Sequence, residues 1–192
     1  MVEAQFEGGL ADPSRDSQKI FRALLIAMAE PGTVMTLPAL AAAPAPFGAA
    51  MAAVALTLCD VDTPVFLAEP FRGTAARWLA FHTDAPMTED RAEARFAFLS
   101  DFDPDSFAIG TDTYPDRSAT LVVERPLAGT AFSLRGPGIQ GTRAFSAGLD
   151  AGFVAAWAPN RALFPCGLDL VLTDGARLAA LPRTTEVQCT SQ

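Results

Sequence analysis

The sequence predicts an α/β fold, a three-layer α/β/α sandwich built on a mixed sheet. Three observations carry that expectation. Apolar stretches with helical spacing alternate with short β-rich runs, and most connections between them are brief, which is the pattern of layered α/β domains. Leu168 to Leu172 is apolar on both faces except at Asp169, as a strand covered on both sides in mid-sheet should be. Half of the 192 residues are hydrophobic and 19% are charged, enough to bury a core and too apolar for a disordered chain.

The elements follow in order. Residues 1–11 read as a loose arm. Asp12-Pro13-Ser14 supplies a capping side chain and a proline for a helix start, and Ile20, Phe21, Leu24, Leu25 and Met28 form one apolar stripe that ends at Glu30-Pro31-Gly32. Thr33 to Leu37 is β-prone, Ala39 to Pro46 is a Pro/Ala connector, and Phe47 to Cys59 reads as a buried helix. After the loop Asp60-Val61-Asp62-Thr63-Pro64 comes a strand at Val65-Phe66-Leu67. Gly73-Thr74 opens a helix carrying Trp78, Leu79 and Phe81, which stops at His82-Thr83-Asp84-Ala85-Pro86. Strands are expected at Phe96 to Leu99, Ala119 to Val123 and Thr130 to Arg135, with a polar connection from Asp101 to Ser118. A short helix, Leu149 to Ala158, carries Phe153 and Trp157. A hairpin closes the fold, with Asp174-Gly175 as the central pair of a type I′ turn and Pro182 ending its second strand. Without a repeat or linker, 1–192 reads as a single domain with a C-terminal tail at 188–192.

Composition excludes several classes of function. The net charge of −8 argues against nucleic acid, which is held by basic residues neutralising phosphates, but leaves room for a small phosphorylated ligand held by a few arginines. Of the 14 basic residues only Lys19 is lysine. It sits among Asp16 and Arg22 in a surface pattern, so a pyridoxal-phosphate Schiff base has no evident lysine. No apolar run reaches the ~18 residues of a membrane span, and the N-terminus carries no secretory pattern. A cytoplasmic location and reduced Cys59, Cys166 and Cys189 are therefore expected. One histidine cannot build a histidine-rich zinc site, and no metal or cofactor is expected.

The candidate residues lie at loops and rims. Arg183-Thr184-Thr185 follows Pro182 at the edge of a rigid sheet, where function concentrates; a C-terminal salt bridge is the competing reading for Arg183. His82 and Asp84 form a polar cluster at a helix end, open to a capping role or a functional one. Asp60 and Asp62 flank Val61 and are suited either to acid–base work or to hydrogen-bonding their own backbone. Gly136-Pro137-Gly138-Ile139-Gln140-Gly141 matches the dinucleotide fingerprint by letter. The helix comes late and Asp150 too early, so a glycine turn is the better reading. Neither a nucleophile elbow nor a phosphate-binding Walker sequence is present.

Four segments together resemble one family. They are Phe21-Arg22-Ala23-Leu24-Leu25-Ile26-Ala27-Met28-Ala29-Glu30-Pro31-Gly32; Leu56-Thr57-Leu58-Cys59-Asp60-Val61-Asp62-Thr63-Pro64-Val65; Phe81-His82-Thr83-Asp84-Ala85-Pro86; and Phe164-Pro165-Cys166-Gly167-Leu168-Asp169-Leu170 with Leu181-Pro182-Arg183-Thr184-Thr185. In this order they are similar to the H subunit of the bacterial carbon–phosphorus lyase core complex. The resemblance runs from about Asp16 to Val187, and Asp84 stands where the family more often carries Asn. It implies a fold related to pyridoxal-phosphate-dependent transferases but without the cofactor. It also implies partnership with the G, I and J subunits, functionally with L, and a homodimer when isolated. The implied activity of the complex is transfer of the ribose triphosphate of ATP to methylphosphonate, which displaces adenine and yields α-D-ribose 1-methylphosphonate 5-triphosphate. Within it the H subunit would dock partners or supply part of a nucleotide or phosphonate site, with no catalytic residue assigned. His82, Asp84, Arg183, Thr184, Thr185, Asp60 and Asp62 are the candidate surface.

Overall fold

The computed structural model of the chain describes residues 6–38, 43–150 and 152–190. The expected connector at 39–46 thus lies partly outside the described residues, as does position 151 in the expected last helix.

Helix α1 spans Pro13–Ala29, with Asp12 as its cap accepting from the Arg15 N–H at 3.1 Å. Its buried seam is Ile20, Ala23, Leu24 and Ala27, whereas Phe21 and Leu25 are 47% and 54% exposed. The expected stripe is therefore rotated. Two alanines let the helix approach the sheet closely, and the larger Phe21 and Leu25 are left facing outward. Helix α2, Ala49–Leu58, is apolar all round and has Ala50 to Ala55 buried, as such a helix must be. Helix α3 is Thr74–Thr83 and α4 is Gly152–Ala162, which runs beyond its expected end and through Pro159.

The main sheet has six strands in the order β1-β8-β7-β4-β3-β2. Their ranges are Met35–Thr36 (β1), Val65–Leu67 (β2), Phe96–Leu99 (β3), Thr120–Glu124 (β4), Asp169–Asp174 (β7) and Arg177–Leu181 (β8). β2, β3, β4 and β7 are parallel, β8 runs antiparallel to β7, and β1 antiparallel to β8, so the sheet is mixed as expected. β7 lies inside it. Val171 joins the core beneath α1, α2 and α3, and Leu170 and Leu172 join the core on the other face, which explains a strand apolar on both faces.

The β7–β8 hairpin has Asp174 paired with Arg177, so its two loop residues are Gly175 and Ala176. Gly175 alone takes positive φ, at 60°. This is the pattern of a type II′ turn, one residue later than the expected type I′ pair.

A second sheet was not foreseen. β5 (Thr130–Arg135) pairs antiparallel with β6 (Arg143–Ala147) and with β9 (Glu186–Cys189). Phe132, Leu134, Phe145 and Val187 pack with Phe153 and Trp157 of α4 against the main sheet. The layer opposite α1–α3 is thus α4 plus a small sheet rather than helix alone. Gly136 to Gly141 is the loop between β5 and β6, so no helix starts there and a dinucleotide fingerprint is ruled out. β9 takes residues 188 and 189 from the expected tail. The arm is held from Phe6 onward: Phe6 stacks on Phe81 with ring centroids 4.7 Å apart, and the Glu7 carbonyl accepts from Trp78 Nε1 at 3.1 Å. No helix among the described residues is long and apolar enough to cross a membrane.

Candidate functional site

The register of the parallel strands places the candidate residues. Val65, Phe96, Thr120 and Asp169 form one row across β2, β3, β4 and β7. This row is the amino edge of the four strands. The segments entering it carry Asp60, Asp62, Asp84, Arg95, Arg117 and Ser118, and Arg183 returns to it from the end of β8.

Arg183 is bound on every side. Its Nε and one terminal nitrogen donate to the two oxygens of Asp169 at 3.2 and 2.5 Å. That terminal nitrogen also donates to Ser118 Oγ at 2.6 Å, and the other donates to the Pro115 and Pro165 carbonyls at 3.0 and 3.1 Å. The guanidinium's five N–H groups therefore meet five acceptors. The Arg183 backbone N–H adds a bond to Asp169 at 2.8 Å. Both side chains of the pair are about 15% exposed. The arrangement ties the entry to β4, the entry to β7 and the exit from β8 into one knot. It is the salt-bridge reading with a larger set of partners, and a ligand would have to displace an existing bond to reach this cation.

The other candidates are spread along the edge. Thr185 is 1% exposed and its carbonyl accepts from Trp157 Nε1 at 2.8 Å, which locks α4 to the segment before β9. Thr184, two residues before β9, is half-buried. His82 Nε2 lies 3.1 Å from the Phe6 carbonyl, with its ring 4.8 Å from that of Trp78. It closes the N-terminal segment onto α3. Asp84 is the exposed C-terminal cap of α3 in the left-handed region, φ 55°. Such a cap is compatible with Asp or Asn. Asp60 Oδ1 accepts from the Asp62 N–H at 3.0 Å, and Thr63 Oγ1 donates to the Asp60 carbonyl at 2.8 Å, an Asx-turn that matches the backbone reading. Among the described residues, no hydrogen bond or ion pair joins the His82, Asp84 and Asp60 groups to Arg183.

Two features escaped the sequence. The first is an open hollow of about 580 Å³ on the amino edge, lined by Asp62, Pro64, Glu93, Arg95 and Arg117 and by three alanines. Neither arginine has an acidic partner among the described residues. Their shared signal is position just before a strand or its lead-in, visible only once β2, β3 and β4 are known to run parallel. The second lies at the opposite, carboxyl edge. Glu124 accepts from Thr173 Oγ1 at 2.6 Å and from the Gly175 N–H at 3.3 Å. Its carboxylate fills the space where a side chain at Gly48, the cap of α2, would stand. Burial pushes its pKa up, partly offset by those two donors. Among the described residues, no three His, Cys, Asp or Glu side chains converge to hold a metal.

Fold and edge together define a mixed α/β protein whose polar edge residues mostly hold its own shape. The comparisons say which one. The profile of the family described as bacterial phosphonate metabolism protein (PhnH) matches residues 8–188, and the chain belongs to that family. It is 46% identical to the alpha-D-ribose 1-methylphosphonate 5-triphosphate synthase subunit PhnH of Rhizobium meliloti (strain 1021), over 95% of this chain and 96% of that protein. It is 30% identical to HtxG of Stutzerimonas stutzeri, a candidate C-P lyase subunit, over 88% of this chain and 85% of that protein.

Proposed function

We propose that the chain is the H-type subunit of a carbon–phosphorus lyase system. In this reading it helps transfer the ribose triphosphate of ATP to methylphosphonate and contributes surface rather than a catalytic group of its own. The observation that carries this is the 46% identity to a subunit named for that synthase, spread over nearly the full length of both chains. Subunits of the G, I and J types are its direct partners, L acts with them, and the isolated chain pairs with itself in the cytoplasm. Its finer architecture is that of a pyridoxal-phosphate-dependent transferase without the cofactor. The mixed sheet between α1–α3 and the α4 layer supports this, as does the position of Lys19, which is 52% exposed and paired with Asp16 at 3.2 Å. The test is reconstitution of ribosyl transfer with purified subunits. Omitting this chain should abolish product, and the chain alone with ATP and methylphosphonate should give none; turnover by the chain alone would refute the docking role.

A second reading gives the amino edge part of a shared nucleotide or phosphonate site. Arg95 and Arg117 favour it, because neither forms an ion pair among the described residues although Asp62 and Glu93 line the same hollow, which leaves guanidinium donors for an outside anion.

A further inference from the structure

The geometry points to the hollow between the entries to β2, β3 and β4 as a polyphosphate-binding site, with Arg95 and Arg117 as its anion-holding side chains. The choice of ligand rests on the second reading above; the site itself rests on the structure. Arg95 lies directly before β3, where its own N–H donates to the Pro64 carbonyl at 2.8 Å and its carbonyl accepts from the Thr120 N–H at 2.9 Å. Its backbone is therefore fixed by both neighbouring strands while its side chain lines the hollow. Arg117 ends the 3₁₀ turn Pro115–Arg117, with its guanidinium carbon 4.0 Å from the centre of the Tyr114 ring. Stacking of this kind fixes a guanidinium plane without using its N–H groups. The turn is itself anchored, because the Pro115 carbonyl accepts from Arg183 and Ser118 is held by the same side chain. The Arg183 knot thus sets the position of Arg117.

The rest of the lining is small, with Ala92, Ala94 and Ala108 beside Pro64, and the volume of about 580 Å³ lies within the usual range for small-ligand sites. The two acidic side chains on its wall set the sign of the test. Glu93 is engaged by Thr88 Oγ1 at 3.1 Å. Asp62 receives only backbone use of its own N–H, so its carboxylate opposes an anion in the hollow. The Glu93 carboxylate keeps its charge and opposes an anion as Asp62 does, so binding rests on the two guanidinium forks, which enter from separate strand lead-ins and suit an extended anion with several acceptor groups better than a single phosphonate. A triphosphate is such an anion, and the 46% relative is named for a 5-triphosphate product.

Calorimetric titration of the purified chain with sodium tripolyphosphate tests this directly. Arg95→Gln and Arg117→Gln should each weaken binding by about tenfold, the effect of one lost charged hydrogen-bonding group. Asp62→Asn should tighten it, and Arg135→Gln, on an exposed position of β5, should leave it unchanged. Raising the salt should weaken binding, since the groups are solvent-accessible. Circular dichroism checks folding; if a Gln variant is unfolded, the Arg→Lys variant at that position, which keeps charge but loses the fork, should bind at an intermediate level. ATP should compete with tripolyphosphate, and methylphosphonate should bind more weakly than either. Absence of tripolyphosphate binding, binding indifferent to both arginines, or stronger binding of methylphosphonate would each overturn the assignment. Co-purification with partner subunits is read separately. Its loss with tripolyphosphate binding intact would remove the assembly role and leave the site standing, and the reverse would remove the site alone.

Discussion

Arg183 shows what the sequence can and cannot reveal about one residue. Its place at a sheet edge was legible, because Pro182 has to end a strand. Its engagement was not, because Asp169, Ser118 and the Pro115 and Pro165 carbonyls are brought together only by the parallel pairing of β4 with β7. Arg183→Ala should cost about 3 kcal/mol in denaturant unfolding, because it strands the largely buried Asp169 carboxylate. Arg183→Lys should recover little of it, since an ammonium cannot reproduce a five-donor fork. The cysteines also divide by burial. Burial pushes the Cys59 thiol up to about 12, whereas Cys189 is exposed. A thiol reagent at pH 8 should modify Cys189 quickly and Cys59 only on unfolding, because the thiolate is the reacting form. Rapid labelling of Cys59 in the folded chain would contradict its place in the core.

Elements with a strong apolar or β-rich pattern were readable from the residues whatever their length, and weakly patterned ones were not. β3 and β5 stand where the apolar runs put them. β6 and β9 were missed because Arg-Ala-Phe-Ser-Ala and Glu-Val-Gln-Cys have little β-branched content, and their pairing with β5 is set by tertiary context. The loop joining β5 to β6 packs on the end of α1: Gly138, at φ 80°, leaves no room for a side chain against the Ala29 carbonyl, and Arg143 donates to the Glu30 and Pro31 carbonyls at 2.8 and 2.9 Å. Gly138→Ala should therefore destabilise the chain by about 2 kcal/mol, from backbone strain at positive φ. The clamp of Glu124 on the start of α2 makes a pH prediction. Its pKa in the folded chain is raised from the usual 4.5, so the folded chain holds this proton more tightly than the unfolded chain does. The contribution is complete below about pH 4.5 and is lost as pH rises through the raised value. Relative to wild type, Glu124→Gln should gain stability as pH climbs through that window. An unchanged difference across pH 4 to 7 would contradict the raised value.

At the scale of the whole molecule, two cores share one mixed sheet, and the polar edge residues singled out in the sequence mostly fasten segments to one another. The family was legible because four motifs occur in order over nearly the whole chain. The Arg95–Arg117 hollow was not, because its two arginines are 22 positions apart and share an edge only in three dimensions. The proposed docking role follows from this arrangement, in which Arg183, His82 and Asp60 are already engaged within the chain. Co-expression with G, I and J homologues followed by affinity purification tests that claim most directly. The account expects this chain to co-elute with them in fixed proportion under mild salt. A folded chain that elutes alone under those conditions would contradict it.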